Sequence, residues 1–216
     1  MDRSISDLDY FRTLVRDPGS IPLLEAAASI GLDAHPSLDL QALLADVDRL
    51  AGQLAHDCRH ASTETARLQR ALRFFYVAQG FAGNRGAYYD PDNSYLHRVI
   101  ETRRGIPITL AVLFAELARH VGLEVEGVSF PGHFLLRVDL HEGTVVIDPF
   151  TGASLDLAEL GRRAEAHGAS ATQLLGPASA HQILVRMLSN LRAIHVEQGR
   201  RDLLDKVMER LRILQG

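Results

Sequence analysis

His133 and Asp148 are residues of the types that move protons together, and both lie where neighbouring strands are predicted. An aspartate that hydrogen-bonds to a histidine fixes the tautomer of the imidazole and stabilises its protonated form. The other ring nitrogen can then take a proton from a nucleophile. With a cysteine, serine or threonine close by, such a pair supports acyl transfer. The alternative is a polar pair that only ties two strands together, and spacing alone favours this structural interpretation.

The chain offers few candidates for the nucleophile. Its single cysteine, Cys58, lies far upstream in a predicted helix, and a lone cysteine more often packs as a small hydrophobic residue. Thr109 is the only hydroxyl near the start of the helix predicted to begin at Pro107. Free N–H groups and the positive end of the helix dipole favour negative charge there. Threonine needs strong activation to attack, however, and near a helix start its hydroxyl more often hydrogen-bonds locally.

Strands that would position the histidine and the aspartate are predicted at 123–130, 133–140 and 144–148, with turns at Pro131-Gly132 and Glu142-Gly143. Successive side chains of a strand point to opposite faces of the sheet. One face of the second strand therefore carries His133, Leu135, Arg137 and Asp139.

The hairpin between the last two strands sets the distance between His133 and Asp148. A four-residue loop at 140–143 would place Asp148 opposite Leu135, with His133 and Arg137 as diagonal neighbours at about 7–8 Å. A two-residue turn at Glu142-Gly143 would instead pair Asp148 with Arg137. In both registers the two side chains share a face. We therefore expect them within hydrogen-bond reach, directly or through one water, near the start of the apolar helix.

Helical periodicity dominates the rest of the chain. The segment from Pro107 to Val121 is apolar on nearly all faces, which predicts a buried central helix. Further helices are predicted at 21–30, 40–54, 62–79, 94–102, 156–167, 180–198 and 201–214. Ser37 is the predicted cap of the helix at 40–54. The last two helices together have the length of one tetratricopeptide unit, whereas a solenoid needs about three repeats.

Composition excludes several classes of protein. A chain of 216 residues that is 46% hydrophobic can bury an ordinary core. Its net charge of −4 provides no basic surface for phosphates, so we predict no nucleic-acid partner. Its apolar runs are too short to span a bilayer, the start has no apolar signal core, and one cysteine cannot form an internal disulfide. We expect a cytoplasmic protein with no membrane partner and no cofactor.

Other polar residues could bind a ligand. Arg103 and Arg104 could hold a carboxylate through the planar guanidinium, although pairing with nearby acidic residues or loop carbonyls is the more common role. Asn93 is predicted to be a cap or turn residue that orients its loop. His56 and His60 lie one helical turn apart, a spacing that can hold a metal ion. Without a third ligand, a solvated helix face is the better interpretation.

Four motifs follow one another in fixed order between residues 93 and 152: NSYL, RRGIP, GVSFPGHFLLR and IDPF. Together they resemble the SirB-like branch of the transglutaminase-like superfamily. In that superfamily a helix begins with a catalytic cysteine, and a histidine and an aspartate follow on adjacent strands. The resemblance matches these two to His133 and Asp148. The cysteine position falls on Pro107 or a neighbour, and none of those residues is cysteine.

The resemblance implies an α+β fold, in which a transglutaminase-like (papain-like) core of a central helix packs on a small antiparallel sheet. The family also has helices before the core and a tetratricopeptide-like segment after it. We therefore expect an N-terminal helical segment at 1–85, the core at 86–155 and a C-terminal helical segment at 156–216.

The missing cysteine favours a protein that is not an enzyme. The relic cleft and the helical flanks would bind a peptide or protein partner, and the oligomeric state stays open. The expected binding residues are Asn93, Arg103, Arg104, Pro107 and Arg137. One alternative is a hydrolase or acyltransferase that acts on amide bonds through His133, Asp148 and a Thr109 nucleophile. A weaker alternative is a metal site at His133.

Overall fold

The computed structural model describes residues 6–156, 158, 160–162 and 174–216. The α-helices are α1 Asp7–Leu14, α2 Leu23–Ser29, α3 Leu40–Cys58, α4 Glu64–Leu72, α5 Leu96–Thr102, α6 Pro107–Arg119, α7 Ala180–Glu197 and α8 Arg201–Gln215. The strands are β1 Ala82–Gly83, β2 Arg104–Gly105, β3 Val125–Val128, β4 Leu135–Leu140, β5 Gly143–Asp148 and β6 Ala153–Leu155. Ile30–Asp33 and Pro91–Ser94 form 3₁₀ turns, and Arg73–Ala78 forms a π-helical segment.

Helix α6 is the buried central helix that its apolar sequence predicts. Pro107 begins it, because the first turn of a helix needs no N–H from that residue and the fixed φ of proline suits the helix. The residues of α6 that are at most 1% exposed are Ile108, Thr109, Leu110, Ala111, Leu113, Phe114, Leu117 and Ala118. The helix therefore contacts protein on nearly every side.

A four-stranded antiparallel sheet in the order β3-β4-β5-β6 packs against α6. Strand β4 alternates as predicted. Phe134, Leu136 and Val138 belong to the main core with α6, whereas Leu135 belongs to a second, smaller cluster with Val128. The predicted α+β class, with a central helix on a small antiparallel sheet, is confirmed. β1 and β2 form a separate parallel pair.

The hairpin between β4 and β5 has the first of the two predicted registers. Leu140 pairs with Gly143 and Arg137 pairs with Val146, so the same register continued by one step brings Leu135 opposite Asp148. The alternative pairing of Asp148 with Arg137 is therefore wrong.

Several predicted boundaries need correction. Strand β4 begins at Leu135 rather than at His133, because the His133 N–H closes a turn onto the Phe130 carbonyl at 3.0 Å. Gly132 takes the φ of +72° that such a Pro-Gly turn requires. Asp39, and not Ser37, caps α3 by accepting a hydrogen bond from the Ala42 N–H.

Further segments differ from the sequence prediction. The helix predicted at 62–79 begins at Glu64 and changes into the π-helical segment Arg73–Ala78. Strands β1, β2 and β6 are not among the strands that the sequence predicts. The helix predicted at 156–167 lies largely outside the described residues.

One hydrophobic cluster contains residues of all three predicted segments, from Phe11 through Leu113 to Leu214. The division into segments at residues 85 and 155 stays a prediction. Among the residues that the structure describes, no helix combines the length and the apolar character that crossing a membrane requires.

His97 on α5 is expected to make stability depend on pH. Both of its ring nitrogens are buried, and neither has a hydrogen-bond partner among the residues that the structure describes. Burial, and then the neighbouring His35, lower the pKa of His97 from the ordinary 6.5 to about 4. Between these two values the unfolded chain binds more protons than the folded protein, so stability falls as the pH falls from 6.5 towards 4.

We therefore expect His97 to contribute a drop of about 2 kcal/mol in the free energy of unfolding between pH 7 and pH 5, as measured by urea denaturation. His97→Leu should remove most of this drop. His141→Gln, a change at an exposed histidine, should leave it intact. A His97→Leu variant with the full wild-type pH dependence would contradict the assignment.

Candidate active site

A cavity of about 430 Å³ opens at the start of α6 and contains both residues of the predicted pair. Pro107 and Ile108 line it from the helix start, His133 from the turn before β4, and Asp148 from the end of β5. No side chain caps the start of α6. The first N–H groups of a helix have no partner within the helix, so this wall of the cavity favours negative charge.

The backbone of His133 is fixed on both sides, while its imidazole stays exposed. Its N–H donates to the Phe130 carbonyl, and its own carbonyl accepts a hydrogen bond at 2.8 Å from Nη2 of Arg186. Within the described part of the chain, the imidazole makes no hydrogen bond. The ring is therefore free to meet a ligand in the cavity.

Asp148 is held by the turn that follows it. Its Oδ1 accepts a hydrogen bond from the Phe150 N–H at 2.8 Å, and its Oδ2 accepts one from the Thr151 hydroxyl at 3.0 Å. Gly152 has a φ of +75°, and a Cβ there would lie 2.5 Å from the Tyr76 ring, so only glycine closes this turn without strain. The aspartate is fixed without help from the histidine.

The predicted contact between the two side chains is realised only in part. His133 and Asp148 line one cavity, but no hydrogen bond joins their side chains among the described residues. The interpretation that the pair ties two strands together through a mutual hydrogen bond therefore lacks its contact.

This geometry predicts additive effects on stability. Asp148→Ala removes two hydrogen bonds to a charged acceptor and should cost about 1.5–3 kcal/mol. His133→Ala changes an exposed ring and should cost less than about 0.5 kcal/mol. Chemical denaturation of the single and double variants should give an interaction energy below about 0.5 kcal/mol. A larger coupling would mean that the two side chains hold each other in solution.

No nucleophile reaches the cavity from the two predicted positions. Thr109 follows Ile108 in α6, but it is 0% exposed and does not line the cavity. Within the described residues, the local hydrogen bond expected for its hydroxyl is also absent, because this oxygen is buried without a partner. Cys58 is buried at the end of α3, and burial raises the pKa of its thiol, which disfavours the thiolate.

Only Pro107 of the predicted binding residues lines this cavity. Asn93 is 3% exposed, and its amide donates to the carbonyls of Ala87 and Tyr88. It accepts a further hydrogen bond from Asn84. Asn93 therefore orients the loop that carries Tyr88, which agrees with the loop role predicted for it.

The three predicted arginines make contacts outside this cavity, and a binding role for them stays a prediction. Arg103 has a left-handed φ of 60° at the end of α5, and its guanidinium lies 4.5 Å from the Phe81 ring centroid. Arg104 donates to the carbonyl of Gly80 at 2.9 Å. Arg137 pairs with Asp139 beside it and donates to the Leu175 carbonyl. These contacts place all three guanidinium groups outside the cavity lining.

Seven residues that line the cavity are not among the predicted site residues: Tyr88, Ile108, Gly132, Phe134, Phe150, Arg186 and Asn190. Tyr88 and Phe150 form an aromatic rim whose ring centroids lie 6.0 Å apart. Arg186 and Asn190 extend into the cavity from α7. Their spacing of one helical turn placed both on one face of a predicted helix, but nothing in the sequence indicated that this face would meet His133.

The structure gives no support to a metal site. Among the described residues, no group of three histidine, cysteine, aspartate or glutamate side chains is placed to hold a metal ion. His56 and His60 both contact the guanidinium of Arg59, on the surface.

Comparison with known proteins places this site in a family. The family model described as the transglutaminase-like superfamily matches residues 41–189. A UPF0162 protein of Xylella fastidiosa (strain Temecula1) is 37% identical over 203 residues, which cover 90% of this chain and 72% of that protein. Protein SirB1 of Salmonella typhimurium is 24% identical over 214 residues, covering 97% of this chain and 77% of that protein.

A similar stretch occurs in a much longer protein. F-box only protein 21 of Homo sapiens is 34% identical over 142 residues, which cover 61% of this chain and 22% of that protein. No solved structure matches the chain.

Proposed function

Since the chain belongs to the transglutaminase-like superfamily, we propose that it binds a peptide segment of a partner protein in the cavity at the start of α6, without acyl transfer. The observation that carries this proposal is the composition of the cavity wall. His133 and Asp148 line it beside the helix start, but cysteine, serine and threonine are absent from the lining that the structure describes. Covalent catalysis needs an activated nucleophile, and removing the nucleophile from such a triad removes most of the rate enhancement.

The features that remain suit the binding of a peptide. A volume of about 430 Å³ lies within the range of ligand pockets, and the wall combines apolar and polar groups. Tyr88 lines the cavity and is 44% exposed, and the ring of Tyr89, which is 68% exposed, lies against it with the centroids 5.3 Å apart. Aromatic side chains of this kind bury large apolar areas and are enriched at interfaces. The fixed backbone around His133 and Asp148 supplies a rigid wall, which reduces the entropy lost on binding.

Active catalysis by Thr109 has no comparable support. To reach the cavity, the hydroxyl of Thr109 would have to leave the core, together with the first turn of α6. We therefore assign His133 and Asp148 to ligand contact rather than to proton transfer.

Affinity selection from pools of random hexapeptides tests this proposal. The wild-type protein should retain a subset of peptides. Asn190→Trp should abolish retention, because the indole ring fills the cavity that the smaller amide side chain leaves open. Arg192→Trp is the matched control, since it adds the same ring to an exposed position of α7. Retention by Asn190→Trp equal to that of the wild type would place peptide binding elsewhere, and an absence of retained peptides would refute the proposal.

A further inference from the structure

Arg186 of α7 places a positive charge in the wall of the cavity. Among the described residues, its guanidinium forms no ion pair. Its contacts are hydrogen bonds to the Ser129 hydroxyl at 3.1 Å and to the His133 carbonyl at 2.8 Å. Its Cζ also lies 5.5 Å from the centroid of the Phe134 ring. Arginine has five N–H donors, so most of its donor capacity is left over.

The surroundings of Arg186 disfavour the charged form of its guanidinium. Burial lowers the pKa of its guanidinium, and the opposing influence comes from Tyr88, which is a neutral phenol at neutral pH. Asp148 is the acidic residue in the same cavity wall, but it forms no ion pair with Arg186, and its two oxygens accept hydrogen bonds from its own turn. A partly buried cation of this kind gains more from a carboxylate than a solvated cation does.

The side-chain amide of Asn190 provides a neutral hydrogen-bond donor and acceptor near the charge of Arg186. Asn190 lies one helical turn after Arg186 on α7, and both residues line the cavity. A guanidinium binds a carboxylate through two parallel N–H···O bonds, and a neighbouring amide can hydrogen-bond to the peptide group next to it. The uncapped start of α6, which lines the same cavity, also favours negative charge.

We propose that Arg186 and Asn190 make this cavity selective for a peptide carboxylate. This inference rests on the peptide-binding function proposed above. The shared chemistry is a carboxylate attached to a peptide, supplied either by a C-terminus or by an aspartate or glutamate side chain. Arg186 contacts this group directly. His133 and Asp148 contact the adjoining peptide.

Three hexapeptide pools, otherwise free of aspartate and glutamate, test the proposal by affinity selection with the full chain. The first pool has a free C-terminal carboxylate, the second has a C-terminal amide and a central glutamate, and the third has a C-terminal amide and a central glutamine. We expect the first or the second pool to be retained at least about ten-fold more than the third, and the better of the two identifies the source of the carboxylate. Arg186→Gln should remove this preference.

Control variants separate the effect of the Arg186 charge from the effect of the hydrogen bonds that Arg186 makes to the loop. Ser129→Ala removes one hydrogen bond that Arg186 makes to the loop but keeps the charge, so the preference should persist. Arg186→Lys should restore part of the preference lost in Arg186→Gln. Arg192→Gln, which removes an exposed cation of the same helix, should change nothing.

The outcomes distinguish this inference from the function on which it rests. Equal retention of all three pools, unaffected by Arg186→Gln but lost in Asn190→Trp, would overturn the carboxylate assignment and leave peptide binding standing. Retention of none of the pools would overturn both.

Discussion

Replacing Arg210 by alanine is expected to lower the free energy of unfolding by about 3–5 kcal/mol, because it strands a buried carboxylate. Arg210 on α8 is 0% exposed, and its Nε and Nη2 donate to both oxygens of Asp33 at 2.7 and 3.0 Å. It also donates to the Ser29 carbonyl and lies 4.7 Å from the centroid of the Phe11 ring. This ion pair joins the last helix to the N-terminal segment.

Chemical denaturation measures the effect. Arg212→Ala, at an exposed position of the same helix, is the matched control and should change stability by less than about 0.5 kcal/mol. The double change Arg210→Met with Asp33→Leu should cost less than the sum of its single changes, because neither charge is then left alone. A loss below about 1 kcal/mol for Arg210→Ala would show that the C-terminal helix is not fixed through this pair.

Phe114→Ala should cost about 3–5 kcal/mol, because it leaves a cavity in the centre of the molecule. Phe114 is 1% exposed in α6, and its ring packs edge-on against Phe75 with the centroids 5.4 Å apart. The π-helical segment that carries Phe75 also presents Tyr76 to the same ring, at 6.2 Å. Phe114→Ala therefore removes packing contacts of the N-terminal helices as well as contacts of the central helix.

Urea denaturation of Phe114→Ala can be compared with that of Arg119→Ala. Arg119 forms a surface ion pair with Glu116 on the same helix, and such pairs contribute about 0–1 kcal/mol. If Phe114→Ala destabilised the protein no more than Arg119→Ala does, α6 would not be the centre of the core.

The central helix and the sheet were predictable because local signals agreed with the global packing. The motif Gly105-Ile106-Pro107 predicted the start of α6, and the apolar run that follows it predicted the burial of the helix. Alternation in Phe134, Leu136 and Val138 identified the face of β4 that packs on it. The register of Asp148 opposite Leu135 was one of two that the turn residues allowed, and only the structure distinguishes them.

Other features depend on contacts that sequence patterns do not report. The turn that ends at His133 uses its N–H, so β4 begins two residues later than alternation predicts. The π-helical segment closes with the Gln79 N–H on the Phe74 carbonyl, and helical periodicity alone gives no sign of this extra residue in the turn.

The cavity was the least predictable part of the molecule. Three arginines of the motifs, Arg103, Arg104 and Arg137, were natural candidates for ligand binding. Their guanidinium groups contact loop carbonyls, an aromatic ring and a neighbouring aspartate. Arg186 lies far from the motif in sequence and reaches the site only because α7 packs against the core. Long-range packing of that kind has no local signature.

Mass spectrometry of the protein and of its retained hexapeptides, after prolonged incubation together, tests the central claim most directly. We propose that the cavity binds peptides, and the lining that the structure describes contains no cysteine, serine or threonine, so both masses should stay unchanged over the incubation. A hydrolysed peptide, a transfer product or a covalent acyl adduct on the protein would contradict this account, above all if it disappeared in Thr109→Val or His133→Ala.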